Sequence, residues 1–296
     1  MNDQSTMNGN LINEALDRNV KSFLMLLNVE TKEETLLHEF DFLIEAPQFR
    51  TESELLFNSR GLIYSFDLNV GTYQQVDTGY CTRCNNDHVL SPDRTKLAVS
   101  HFTKEDFQSR IYIIDLLKEA PPFLVTPLAP SYLHGWSPDG LTLAYCAERG
   151  NAYNIFTIPV NGSIETALTD EPDKSDGPEY SPTGSDIYFN AVRNGCMDCY
   201  RMKADGQNPV RLTDNGRYNW FPHISPDDSR VVYLSFDPAE VAVDDHPANK
   251  HVQLRMMDPD GKNDRMLIEL FGGQGTINVN SWAPDSKVIA YVKYQV

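Results

Sequence analysis

The chain has 296 residues, of which 41% are hydrophobic and 23% charged, and its formal net charge is −17. That length and apolar content suffice for a large buried core and exclude disorder, and the acidic balance lacks the positive footprint that nucleic acid or an anionic membrane requires. No run of about 18 apolar residues exists to span a bilayer as a helix.

Residues 1–19 are polar and without period, so a flexible lead-in is expected there. They lack the basic-then-apolar order of a secretory signal, and the expectation is a cytoplasmic protein. SFLMLLNV and ETLLHEF then read as two strands that no turn motif introduces. From Arg50 onward the chain repeats. FRTESELLFNS at Arg50 is a degenerate first copy, followed by LSPDRTKLAVS, WSPDGLTLAYC, YSPTGSDIYFN, ISPDDSRVVYL and WAPDSKVIAYV. Their anchors are Ser91, Ser137, Ser181, Ser225 and Ala283, so successive spacings are 41, 46, 44, 44 and 58 residues.

Each copy contains a turn set by proline at its second position, where φ near −65° is already fixed. An alternating strand follows, such as LTLAYC, then a third such as NIFTIPVNG and a short fourth such as TALTD. Repeats of this length with four short strands specify a β-propeller, here all-β with six blades of four antiparallel strands. The last copy supplies only two strands, and the two N-terminal strands complete its blade. The ring is thereby closed and no sheet edge is left exposed. Residues 20–296 are therefore one propeller domain.

The repeat resembles the propeller of TolB-like proteins, whose blades carry a W-S-P-D-G turn followed by L-A-Y. CNNDHVLSPD, HGWSPDG, DGPEYSP, WFPHISP and LFGGQGTINVNSW resemble a subgroup of short, single-domain members. The resemblance implies a partner-binding platform, a domain attached to a peptidase or, as in oligogalacturonate lyases, an enzyme with a manganese ion held by histidines and a glutamine.

The segments leading into each first strand cross the mouth of the central channel, where a scaffold needs only undemanding residues. Instead they bring Asn86, Asp87 and His88 from one blade, Tyr132 and His134 from the next, Asp176 and Glu179 from a third, Trp220 and His223 from a fourth, and Gln274, Asn278 and Asn280 from a fifth. His88 and His134 each stand three residues before their serine, and His223 stands two before its own. A turn has no need of imidazole, so these side chains are expected to serve the channel.

Two chemistries suit such a mouth. His88, His134, His223 and Gln274 form a candidate set of metal ligands for a divalent ion, Mn²⁺ or Zn²⁺. In a uronate-type lyase, Arg149 and Arg193 from overhanging loops would neutralise the carboxylate, and His88 or His134 would take the α-proton. Alternatively Asn86, Asp87, Tyr132, Asp176, Glu179, Trp220 and Asn278 would bind a small-molecule or oligosaccharide ligand without chemistry. A non-catalytic scaffold with a protein partner on the rim is the third reading. The insertion 237–251 overhangs the same mouth and reads as a lid or a tolerated loop.

Two CxxC pairs, Cys81/Cys84 and Cys196/Cys199, raise the question of a thiolate zinc site. The odd separation sends Cys196 and Cys199 to opposite faces of a strand, so reduced thiols are expected instead. No GxSxG or GxxxxGK[ST] motif is present.

Overall fold

The SPDG turn is built by its own side chains. In Ser137–Gly140 the serine hydroxyl donates to Asp139 (2.6 Å) and accepts the Thr142 N–H (2.9 Å), and the Gly140 N–H returns to the Ser137 carbonyl (2.9 Å). The fourth turn residue has positive φ in the five copies that keep the proline: Arg94 61°, Gly140 76°, Gly184 72°, Asp228 60° and Ser286 61°. Glycine takes that conformation without penalty and the other three do not.

The computed structural model describes residues 20–296. The expected lead-in, residues 1–19, lies outside the described residues. Five blades are four-stranded antiparallel meanders. Blade 1 spans residues 45–75, blade 2 residues 84–124, blade 3 residues 131–167, blade 4 residues 175–211 and blade 5 residues 218–273. Strands in the middle of a blade are packed on both faces by neighbouring sheets, which is why Val231–Phe236 is buried at every position and reads as a continuous apolar run.

Blade 6 closes the ring. Val288–Gln295 pairs with Lys21–Asn28 over eight residue pairs, from Lys21 opposite Gln295 to Asn28 opposite Val288, and Glu34–Phe40 lies outermost. The innermost place is reduced to a single bridge, Trp282 to Ile289. The segment before it coils into a short 3₁₀ turn at Gln274–Thr276, and Asn278 bonds to blade 2 and Asn280 to blades 4 and 5. The core lies between blades: Trp220, Leu234, Leu254, Trp282 and Tyr291 form one cluster across blades 5 and 6.

The turn conformation generates a prediction. Asp228 holds positive φ, and burial, followed by the nearby Asp186 and Asp227 carboxylates, pushes its carboxyl above the usual range against Arg201. Asp228→Gly removes both penalties and adds unfolded-state entropy, for a net gain of about 0.5–1 kcal/mol. The denaturant midpoint is therefore expected to rise, and a lower midpoint in the variant would refute the turn-strain account.

Candidate functional site

All five complete inner strands carry a β-bulge at the same level. In blade 3 Leu133 faces Tyr145 and Gly135 faces Ala144, which leaves His134 as the extra residue. In blade 4 the ladder skips Gly177 and Pro178, in blade 5 Phe221 and Pro222, and in blade 2 Asn85–Asp87. A bulge re-aims side chains at the end of a sheet, and this row of bulges sets the polar collar. Gly177 takes φ 63° within its bulge, and Phe221 takes φ 54° in the corresponding one. A left-handed phenylalanine is a strained residue, held here by a hydrogen bond from its N–H to Asn190 Oδ1 (3.0 Å).

His134 Nε2 lies 3.2 Å from Asp176 Oδ1, and its ring stacks on Phe221 at 5.8 Å. Burial lowers the affinity of His134 for a proton, but Asp176 and Asp87 overcome it and raise the pKa. Asp176 also accepts the Gly177 N–H (2.8 Å) and lies 3.6 Å from Lys174 Nζ. Burial would raise its pKa, but His134 and Lys174 drive it well below the carboxylate range.

Asp87 is compensated differently. Its carboxylate accepts from the Asn85 amide (2.5 Å) and the Asn278 amide (2.7 Å) and forms no ion pair among the described residues. Burial raises its pKa, opposed by His134 and the two amides. Tyr132 lies in the same group: burial, then Tyr153, Asp87, Cys146 and Asp176 push its hydroxyl upward. Next in sequence, His88 is 0% exposed, and neither ring nitrogen has a hydrogen-bond partner. Burial takes its pKa down to about 4, against a weaker opposing contribution from the Asn86 backbone. Asn278 Oδ1 and Trp220 Nε1 are also buried without partners.

Glu179 is saturated by comparison. It accepts from the Ile224 N–H (3.1 Å) and the Asn280 amide (2.6 Å), and His223 Nδ1 lies 2.6 Å from its other oxygen. His223 Nε2 faces the Ile277 carbonyl at 2.6 Å. These contacts tie blades 4, 5 and 6 together.

The expected site residues therefore separate. Asp87, Tyr132, His134, Asp176 and Trp220 come together, with Asn278 reaching them from the far end of the chain. Asn86 turns aside, its amide 3.4 Å from Glu45. Arg149 and Arg193 do not bring free positive charge to the mouth. Arg149 is held by Glu165 (2.7 Å), the Pro130 carbonyl and Ser131, and Arg193 lies 2.5 Å from Glu171 with its guanidinium against Tyr200.

The metal set does not assemble either. Among the described residues no three His, Cys, Asp or Glu side chains are grouped to hold an ion. Both His223 nitrogens are spoken for, and Gln274 sits in the short turn with its N–H directed at the Pro247 carbonyl (3.4 Å). The five cysteines are free thiols, with Cys199 buried and Cys196 half-buried across the strand.

Sequence reasoning did not single out Lys174, Tyr153, Phe221 and His246. The insertion residue His246 stacks on Trp220 at 4.2 Å and meets Phe221 edge-on at 5.3 Å. Burial and then Lys174 take its pKa down to about 3. The insertion thus closes over the mouth. The one available signal was the 58-residue spacing, which marked this loop as extra chain.

The pattern of the TolB β-propeller domain, PD40, matches residues 88–247. An uncharacterized protein of Agrobacterium fabrum is 40% identical over 278 residues, 93% of each chain. The chain belongs to the TolB-like β-propeller family. A solved structure from Agrobacterium tumefaciens, named as a TolB candidate, superposes with a TM-score of 0.88 at 40% identity, covering 94% of this chain and 99% of that one. An oligogalacturonate lyase in complex with manganese superposes at 0.52 with 17% identity, over 84% of this chain and 72% of the lyase. That likeness is one of fold.

Within this TolB-like propeller, His88 sets a pH dependence. Its folded pKa of about 4 lies below the unfolded value near 6.5, so the unfolded chain binds the extra proton. Its contribution is present above pH 6.5 and is lost as pH falls toward 4, to a total on the order of 3 kcal/mol. His88→Gln is expected to flatten the decline in melting temperature over that window. An unchanged slope would show that His88 is charged in the folded protein.

Proposed function

We propose that this propeller binds a small polar ligand of carbohydrate type at the channel mouth, beneath the insertion. The observation that carries the reading is unused hydrogen-bonding capacity among buried groups on the segments around the channel: both nitrogens of His88, Asn278 Oδ1 and Trp220 Nε1, with Asn278 also bonded to the Asp87 carboxylate. A buried polar group without a partner costs about 1–3 kcal/mol, and most such groups in folded proteins are satisfied. Acceptors and a donor are mixed here, and a hydroxyl answers both because it donates and accepts. Neighbouring hydroxyls, as on a sugar ring, meet the set with one molecule.

Binding rather than turnover is what these groups support. The lyase reading needs a cation opposite a uronate carboxylate, and Arg149 and Arg193 are already paired with Glu165 and Glu171. The resemblance to a manganese-bound lyase does not supply ligands, since His88, His134, His223 and Gln274 do not converge. A protein-interaction platform is the second reading. It is favoured by Tyr80, Phe107 and Leu128, which are 53%, 60% and 54% exposed on loops at the mouth end.

Calorimetric titration with glucose, galacturonate and trigalacturonate at millimolar concentration tests the proposal. At least one is expected to bind, and Asn278→Ala is expected to weaken it about tenfold by removing one hydrogen bond of roughly 1.4 kcal/mol. Phe107→Ser should leave that affinity unchanged. Absence of binding by all three, or binding indifferent to Asn278→Ala, would overturn the reading.

A further inference from the structure

The side chain of Lys174 occupies an unusual position. Its ammonium lies 5.0 Å from the centre of the Trp220 ring and 5.7 Å from that of Tyr153. It also lies 3.6 Å from Asp176 Oδ2 and 3.3 Å from the Asp244 carbonyl of the insertion. Two aromatic faces, a carboxylate and a carbonyl are the groups that recognise an organic cation: the rings through their quadrupoles, the oxygens through charge and hydrogen bonds. The lysine side chain is 20% exposed, so its head is held in the cage instead of extending into water, as a surface lysine does.

The direct contacts around the cage are uneven. Asp176 is answered by His134 and Lys174, whereas the neighbouring Asp87, 3% exposed, receives only amides. A buried carboxylate without a cation is costly. Tyr132 lies 6.3 Å from Tyr153, and Nε1 of Trp220 is buried without a partner. The site therefore has a second carboxylate, Asp87, and a further aromatic ring, Tyr132, beyond those that Lys174 contacts.

We propose that the mouth recognises an ammonium group, primary or methylated, carried by its ligand, with Lys174 as the internal occupant that holds this position between binding events. The inference rests on reading the mouth as a ligand site and adds the charge of the ligand. On binding, the incoming cation takes the place between Trp220, Tyr153 and Asp176, and Lys174 moves outward past Asp244. Its contact with the Asp244 carbonyl couples that movement to the insertion. A uronate is disfavoured, since its carboxylate would face Asp87 and Asp176.

The test empties the cage and refills it. Lys174→Ala is titrated with propylammonium and tetramethylammonium, with propanol and propionate as neutral and anionic controls at matched ionic strength. Tryptophan fluorescence and melting temperature are the readouts. The variant is expected to melt several degrees below the wild type, to recover with propylammonium but not propanol, and to bind tetramethylammonium at least tenfold more tightly than the wild type does. If Lys174→Ala does not fold alone, refolding in propylammonium but not in propanol carries the same meaning.

Equal effects of propanol and propylammonium, or no effect of either cation, would overturn the ammonium assignment. This outcome is separable from failure of the ligand site itself. Sugar binding that depends on Asn278, without any selectivity for cations in Lys174→Ala, leaves the site and removes the ammonium.

Discussion

The mouth exists because the two ends of the chain are hydrogen-bonded to each other. Lys21–Asn28 and Val288–Gln295 pair over eight residues, with Leu24, Leu27, Ala290 and Val292 buried along the seam. The entropy of closing a loop grows only with the logarithm of its length, about 0.6 kcal/mol for each doubling. Joining such distant strands thus costs little more than joining near ones, and a full strand pairing offsets it. Once the ring is closed, separation along the chain stops mattering. Asp87 and Asn278 are 191 residues apart and share a hydrogen bond, and Tyr294 reaches the Ile44 carbonyl across 250.

Convergence of inner strands creates a solvation problem, and the protein meets it unevenly. Glu179 receives a backbone N–H, an amide and an imidazole, which suits a carboxylate that links three blades. Asp176 receives a backbone N–H, His134 and Lys174. Asp87 receives two amides, and His88 beside it receives nothing. The least compensated groups, Asp87 and His88, come from blade 2, whereas the left-handed Phe221 and the His246–Trp220 stack belong to blade 5 and its insertion. In blade 5 the unpartnered Trp220 Nε1 is next in sequence to the strained Phe221. Structural cores do not retain such features without something else to stabilise.

The architecture was legible in the sequence because it is written several times over. SPDG recurs at intervals matching one blade, and each copy repeats the same alternation, so an error in one unit is corrected by the next. The polar collar was legible for a weaker reason: His88 and His134 occupy matched offsets before their turns, and His223 stands one residue nearer to its own. Matched offsets specify a shared level on the axis but say nothing of direction. The bulges decide direction, and they leave His134 facing Asp176 while His223 is turned toward Glu179 and Ile277. Lys174 stayed hidden because a lysine before a strand is ordinary in sequence. Its meaning comes from Trp220 and Tyr153, which belong to different blades.

The failure of the metal set follows from counting lone pairs. An imidazole binds a metal through a nitrogen that is neither protonated nor engaged by another group. His223 has an oxygen 2.6 Å from each nitrogen, so both ring positions are already engaged within the protein. Freeing one would strip Glu179 of a partner or leave the Ile277 carbonyl unanswered, and both are buried where blades 4, 5 and 6 meet. His134 is committed through Nε2 to Asp176. In this propeller His134 and His223 act as rivets between blades, each met by a carboxylate from an adjacent blade.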